Sequence, residues 1–357
     1  MQYNRLTLGA GADNIVQIKA VMPDGTFITA NACQNPDMWF ALRGGGGSTF
    51  GVNIEITMKA YPQMALQVAY VRFISANPNV FTDFTKLIVA NGYKWSTEGW
   101  GGYVSLAAQG SQANGFILLT PKLSLGDAQA SMKPITDYVA GLGNIVVNND
   151  VETANSFYEA YTKYILPNAE QVGLGVALAT RLIPTTQLQG AANQAQMVNV
   201  MQQVANAVAY PARTGVLDVA QLTYGGPFQL LITAPSSYTT SDNTSAITPA
   251  WRSAIWHMFV APGFSNEASA SDIASAFQTA HNVGNILRNL APNSGAYQNE
   301  AETFEPDPAG SFWGQANYQR LVAIKQKIDP ANFLTCWNCI GYDSSDARYA
   351  CYPPTPT

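Results

Sequence analysis

Charge is what this sequence has least of. Of 357 residues only 11% are Asp, Glu, Lys or Arg, and they leave a formal net charge of −5; an average soluble domain carries roughly 25%. There is no basic run, so the counterion release that drives binding to nucleic acid or anionic lipid has no source here. Polarity comes instead from Asn, Gln, Ser and Thr, which excludes a charge-rich disordered chain. No stretch of 18 or more apolar residues occurs, so no spanning helix is expected. The first residues, Met-Gln-Tyr-Asn-Arg-Leu, have neither the basic nor the apolar region of a signal peptide. Histidine is limited to His257 and His281, and cysteine to Cys33, Cys336, Cys339 and Cys351, which allow three pairings if all are oxidised. Cys336-x-x-Cys339 lacks the further nearby ligands of a zinc centre, so no metal is expected and a disulfide or buried thiols are. The single glycosylation sequon is Asn243-Thr244-Ser245.

What the sequence does hold is an unusual stretch from Asn35 to Val52. Asn35 is expected to cap a helix beginning at Pro36, with Asp37 in its first turn and Gly44 ending it. Four glycines follow, Gly44 to Gly47, then Ser48, Thr49, Phe50 and Gly51. Glycine loses the most backbone freedom on folding, so such a run implies positive φ or close approach of backbone to something bulky. Phe50, Val52, Ile54, Ile56 and Met58 alternate with polar or small residues, which predicts a half-buried strand. The loop lacks the Lys-Ser/Thr of a P-loop and nowhere reads Gly-x-Gly-x-x-Gly. A tight connection and an anionic ligand both remain readings of it.

Elsewhere the pattern is mixed. Ile15 to Val21 and Phe27 to Ala30 flank Pro23-Asp24-Gly25, a hairpin signal. Strands are predicted at 66–73, 102–107, 116–120, 145–148, 176–182 and 215–223. Helices are predicted at 79–90, 127–142, 153–164, 186–209, 269–290 and 316–328. Uneven spacing and short connections favour an α+β fold: an antiparallel sheet covered by helices on one face.

Two separated segments resemble a known family. Asp24-Gly25 and Asn35 to Val52, with Tyr297-Gln298-Asn299-Glu300, Phe312-Trp313-Gly314 and Asn317-Tyr318-Gln319-Arg320-Leu321, resemble the berberine-bridge-enzyme-like, FAD-linked oxidases, particularly fungal ones. The resemblance implies that residues 1–62 are the C-terminal part of a PCMH-type FAD-binding domain and 63–295 a substrate domain. Residues 296–341 would return to the FAD domain, and 342–357 would be a polar tail. It implies FAD contacts at Asp13, Asn14, Gly44, Gly45, Gly46, Gly47, Phe50, Gly51, Val52, Asn317 and Tyr318. The family's flavin-linking histidine has no counterpart, since no histidine precedes His257, and the chain is expected to begin inside a domain.

The implied activity is oxidation of an alcohol, sugar or secondary metabolite by hydride transfer to flavin, with dioxygen as acceptor. A truncated relative that binds a metabolite or carbohydrate without redox chemistry is the alternative. The family is mostly exported, which makes a secreted protein the expectation. Catalytic candidates are His257, Tyr297 and Tyr103, the phenols because Phe312-Trp313-Gly314 stands where many relatives carry a tyrosine. Arg181 is expected in a structural ion pair.

Overall fold

The computed structural model describes residues 8–75, 77–107, 113–168, 175–208, 228–232, 238, 244–352 and 356. The predicted strand at 215–223 and Asn243 of the sequon lie outside them. No helix among the described residues is long and apolar enough to cross a membrane.

The chain opens with a three-stranded antiparallel sheet in the order β2-β1-β3, formed by β1 (Ile15–Val21), β2 (Phe27–Asn31) and β3 (Val52–Met58). Gly25 takes φ +83° at the predicted hairpin turn. Between β2 and β3 lies α1 (Pro36–Ala41). Asn35 does not cap it with its side chain as predicted: the side-chain Nδ2 donates instead to Thr29 O at 2.8 Å, while Asn35 O accepts from Trp39 N. A second departure concerns β3. Phe50 is buried, but all seven residues of β3 are exposed, Val52 at 56% and Ile54 at 61%. The alternation is real, yet no described layer covers that face.

A seven-stranded, wholly antiparallel sheet follows, in the order β7-β4-β6-β5-β10-β11-β9. Its strands are β4 (Leu66–Ile74), β5 (Gly101–Leu106), β6 (Ala113–Thr120), β7 (Val146–Ala154), β9 (Ala179–Pro184), β10 (Phe228–Ile232) and β11 (Ala254–Val260). The pairs β8 (Gly175–Val176) and β12 (Gly263–Phe264) form a separate ribbon, so the strand predicted at 176–182 is split. One face is covered by α2 (Pro78–Thr97), α3 (Leu125–Ala140), α5 (Ala191–Ala207) and α7 (Ala270–Leu290), whose apolar stripes pack on Val71, Phe116, Leu230, Trp256 and Met258. Ser269 and Asp272 form the capping box of α7.

Two predicted helices start later than their patterns. Residues 153 and 154 belong to β7, where Thr153 donates to Gln67 Oε1 at 2.7 Å, and the helix α4 (Phe157–Ala160) starts only after Ser156 accepts from Glu159 N. The predicted 186–209 helix is broken by Gly190 at φ +80°, so α5 begins at Ala191.

The last helices, α6 (Ala250–Ser253), α8 (Pro308–Phe312) and α9 (Gln315–Ile328), bring the end of the chain back to its beginning. Ile18, Ala20, Ala30, Phe40 and Phe50 share one apolar core with Ala296, Phe312, Trp313, Leu321 and Ile340. A buried polar ladder staples this segment to the large sheet. His281 and Arg288 of α7 both reach Glu302, Arg288 also reaches Glu305 at 3.0 Å, and Ser311 joins Glu305 to Arg181. Arg181 therefore bonds Ser311 and the carbonyls of Ala291 and Pro292 rather than pairing directly with a carboxylate. Burial pulls its guanidinium below the ordinary value, against the pull of Glu305.

Candidate active site

The glycine loop sits where the two ends of the chain meet, and its neighbours dictate its composition. Gly44 takes φ +115° and its carbonyl accepts the Trp313 indole N–H at 3.0 Å. Arg43, 2% exposed, anchors the preceding turn through Trp39 O, Ala12 O and Thr244 O. On the far side, the Lys325 ammonium of α9 donates to Thr49 O at 2.7 Å and to Asp329 Oδ2 at 2.6 Å. Burial pushes the Asp329 carboxyl up, but Lys325 and the N–H groups of Phe333 and Leu334 outweigh it and hold it below the carboxylate range.

Against this loop lies a cavity of about 340 Å³. Gly11, Gly44, Gly46, Gly47 and Gly51 contribute bare backbone to it, with Phe50, Ile247, Trp251, Phe312 and the run Ala296-Tyr297-Gln298-Asn299 as walls. A Cβ built on Gly47 meets nothing within 4 Å, so the loop is open there toward the cavity. The size and backbone lining suit one part of a dinucleotide approached closely by main chain.

At one wall, three rings meet edge to face. Trp251 and His257 have centroids 5.5 Å apart, Trp251 and Tyr297 5.8 Å, His257 and Tyr297 5.9 Å. His257 is 1% exposed, and Glu300 Oε2 lies 3.6 Å from its Nδ1. Tyr297 lines the cavity and its hydroxyl oxygen accepts from Asn299 Nδ2 at 2.7 Å.

Tyr103 stands apart from these rings. Strand register puts Leu231 opposite both His257 and Tyr103, so all three share the face turned away from the four long helices, with His257 and Tyr103 two strands, or about 10 Å, apart; Phe157 and Ala160 of α4 pack at the Tyr103 end of that face. The next row on that face carries Thr180, Phe259, Gln229 and Ser105.

Of the predicted cofactor contacts, Gly44, Gly46, Gly47, Phe50 and Gly51 line the cavity. The others lie elsewhere. Gly45 is packed inward, and Val52 starts the exposed strand. Asp13 forms a two-pronged ion pair with Arg252, at 2.7 and 2.8 Å, and also accepts from Ala10 N. Asn14 is bonded to Leu8 O, Ala10 O and the Tyr61 hydroxyl. Asn317 donates to Ile247 O at 3.1 Å, bracing the cavity wall from behind, and Tyr318 rests against Trp313. Sequence reasoning did not single out Trp251, Gln298, Asn299 or Trp313. Gln298, Asn299 and Trp313 belong to the segments that carry the family resemblance, but no site role was assigned to them.

Among known proteins, the family described as berberine and berberine like matches residues 296–340. An FAD-linked oxidoreductase of Aspergillus flavipes, ffsJ, is 35% identical over 95% of this chain and 57% of its own length. The FAD-linked oxidoreductase OXR2 of Pyricularia oryzae is 33% identical over 94% of this chain and 53% of its own. The chain thus spans a little over half the length of these relatives. Among solved structures, the VAO-type flavoprotein MtVAO713 of Myceliophthora thermophila superposes with a TM-score of 0.75 at 22% identity, covering 94% of this chain and 58% of that one. The glucooligosaccharide oxidase of Acremonium strictum superposes with a TM-score of 0.68 at 15% identity, over 95% and 68%. These likenesses agree with the observed mixture of helices and antiparallel sheet.

Proposed function

We infer that the chain belongs to the berberine-bridge-like family of FAD-linked flavoproteins, and from that premise we propose that it oxidises a small alcohol, sugar or secondary metabolite at the Tyr297 end of the glycine-lined cavity, with dioxygen as the final acceptor. The observation that carries this reading is the meeting, in one cavity, of bare main chain at Gly46 and Gly47 with an oriented phenol. FAD, when bound, supplies a two-electron acceptor. Gly46 and Gly47, with Gly11 and Gly51, would hold it by close backbone approach.

The remaining work falls to side chains. Tyr297 Oη is the atom proposed to receive the substrate's hydroxyl proton, and the Asn299 N–H that it accepts both orients the ring and stabilises negative charge on that oxygen. Trp251 and His257, edge-on to the phenol, fix its plane, with Glu300 beside the imidazole. Trp251, Ile247 and Phe312 keep water from the reacting end.

The test is the visible spectrum of the purified chain titrated with FAD, before and after acid precipitation. A flavin band that leaves with acid is expected. Gly47→Val should abolish it without lowering Tm. Tyr297→Phe should keep it and slow peroxide release on substrate about 10²–10⁴-fold. No band under any condition overturns the reading in favour of metabolite binding without redox chemistry, and full retention by Gly47→Val overturns the role of the glycine loop in holding the cofactor.

A further inference from the structure

Cys336 and Cys339 are joined by a disulfide. It closes across a turn in which Cys339 N donates to Cys336 O at 3.1 Å and Asn338 takes φ +54°. With only two residues between the cysteines, the loop-closure entropy removed from the unfolded chain is near its minimum, so the bond adds little to stability. The two sulfurs differ in access. Cys339 is 4% exposed, whereas Cys336 is half-buried at the surface. Gln298 Nε2 donates to Cys339 Sγ at 3.6 Å, and Gly47 O lies 3.5 Å from Cys336 Sγ. An open electrophilic sulfur, a hidden leaving sulfur and a donor aimed at the latter are the elements that thiol–disulfide exchange requires.

We propose that Cys336–Cys339 is a thiol–disulfide exchange site whose substrates are small thiols, entered at Cys336. A thiolate attacks Cys336 Sγ, forming a mixed disulfide. The Cys336–Cys339 bond breaks and its electron pair passes to Cys339, whose thiolate the Gln298 N–H stabilises. A second thiolate attacks the small-molecule sulfur of the mixed disulfide and releases Cys336. Two small thiols are oxidised to one disulfide, the protein disulfide is reduced to two thiols, and the two protons pass from the former to the latter. Gln298 and Gly47 both line the cavity, so the pair sits directly behind its wall.

The experiment uses the full chain in a Cys33→Ser, Cys351→Ser background, which removes the two exposed free thiols. Native protein is equilibrated in reduced and oxidised glutathione at varied ratios, quenched with a maleimide and mapped by mass spectrometry. Reduced glutathione should open the bond without denaturant, giving two labels, with the transient glutathione adduct on Cys336. Cys339→Ser should trap that adduct quantitatively, and Gln298→Leu should slow opening several-fold while leaving Tm within about 2 °C. Wild-type adduct mapping gives the same discrimination if Cys339→Ser folds poorly. A bond that opens only in denaturant, or an adduct on Cys339, overturns the proposal.

Discussion

A Cβ added at Gly45 would lie 2.4 Å from Ala41 O and 2.7 Å from the Phe50 ring, with Leu321 of the last helix at 2.9 Å. At Gly47 it would meet nothing within 4 Å. Gly45→Ala should therefore destabilise the protein by about 1–3 kcal/mol through overpacking, while Gly47→Ala should leave the melting temperature unchanged; thermal melts of the two variants check both. Gly46 falls between them, since φ +105° and the Gln298 side chain at 2.9 Å make any substitution there strain the fold as well as the cavity. The Lys325–Asp329 pair gives a second residue-scale expectation. Because the folded carboxyl titrates below its unfolded value near 3.9, its stabilisation is fully present above that pH and is lost as pH falls through the folded value. Asp329→Asn leaves Lys325 buried without its counter-charge and should cost about 3 kcal/mol at neutral pH, with a flatter acid limb in a pH series of denaturant melts.

Among the described residues, β3 has no strand on its outer edge and exposes Val52, Ile54, Ile56 and Met58. An edge of this kind templates strand addition. Ile54→Lys with Ile56→Lys should reduce concentration-dependent self-association, read by light scattering, with a change in stability within about 0.5 kcal/mol per site. The existence of β3 was legible in its period-2 pattern; its exposure was not, because alternation reports a face suited to burial and says nothing of what lies on it. The hairpin turn and the capped helix α7 were legible for local reasons, namely Gly25 and the Ser269–Asp272 box. Helix starts at 157 and 191 were not: the β7–β4 ladder captured Thr153, and Gly190 needed a positive φ that apolar spacing cannot reveal. At the site, Tyr297 and His257 were nameable from the sequence as separate candidates. Their meeting with Trp251 depends on a sheet register and a returning chain end that no local pattern carries.

On the scale of the whole molecule, the small sheet has no core of its own. Ile18, Ala30 and Phe40 are buried against Trp313, Leu321 and Ile340. Deleting residues 296–357 should leave the large sheet and its helices cooperative but speed amide exchange throughout β1 and β2 toward unprotected rates, measurable by hydrogen-exchange mass spectrometry. The same shared core sets an order of events during synthesis. Roughly 240 residues separate Phe50 from the segment that covers it, so at ribosomal rates of about 5–20 residues per second the first sheet waits on the order of ten seconds or more for its partner. Through that interval its apolar face is available to chaperones, and codon usage in the intervening sequence becomes a determinant of yield.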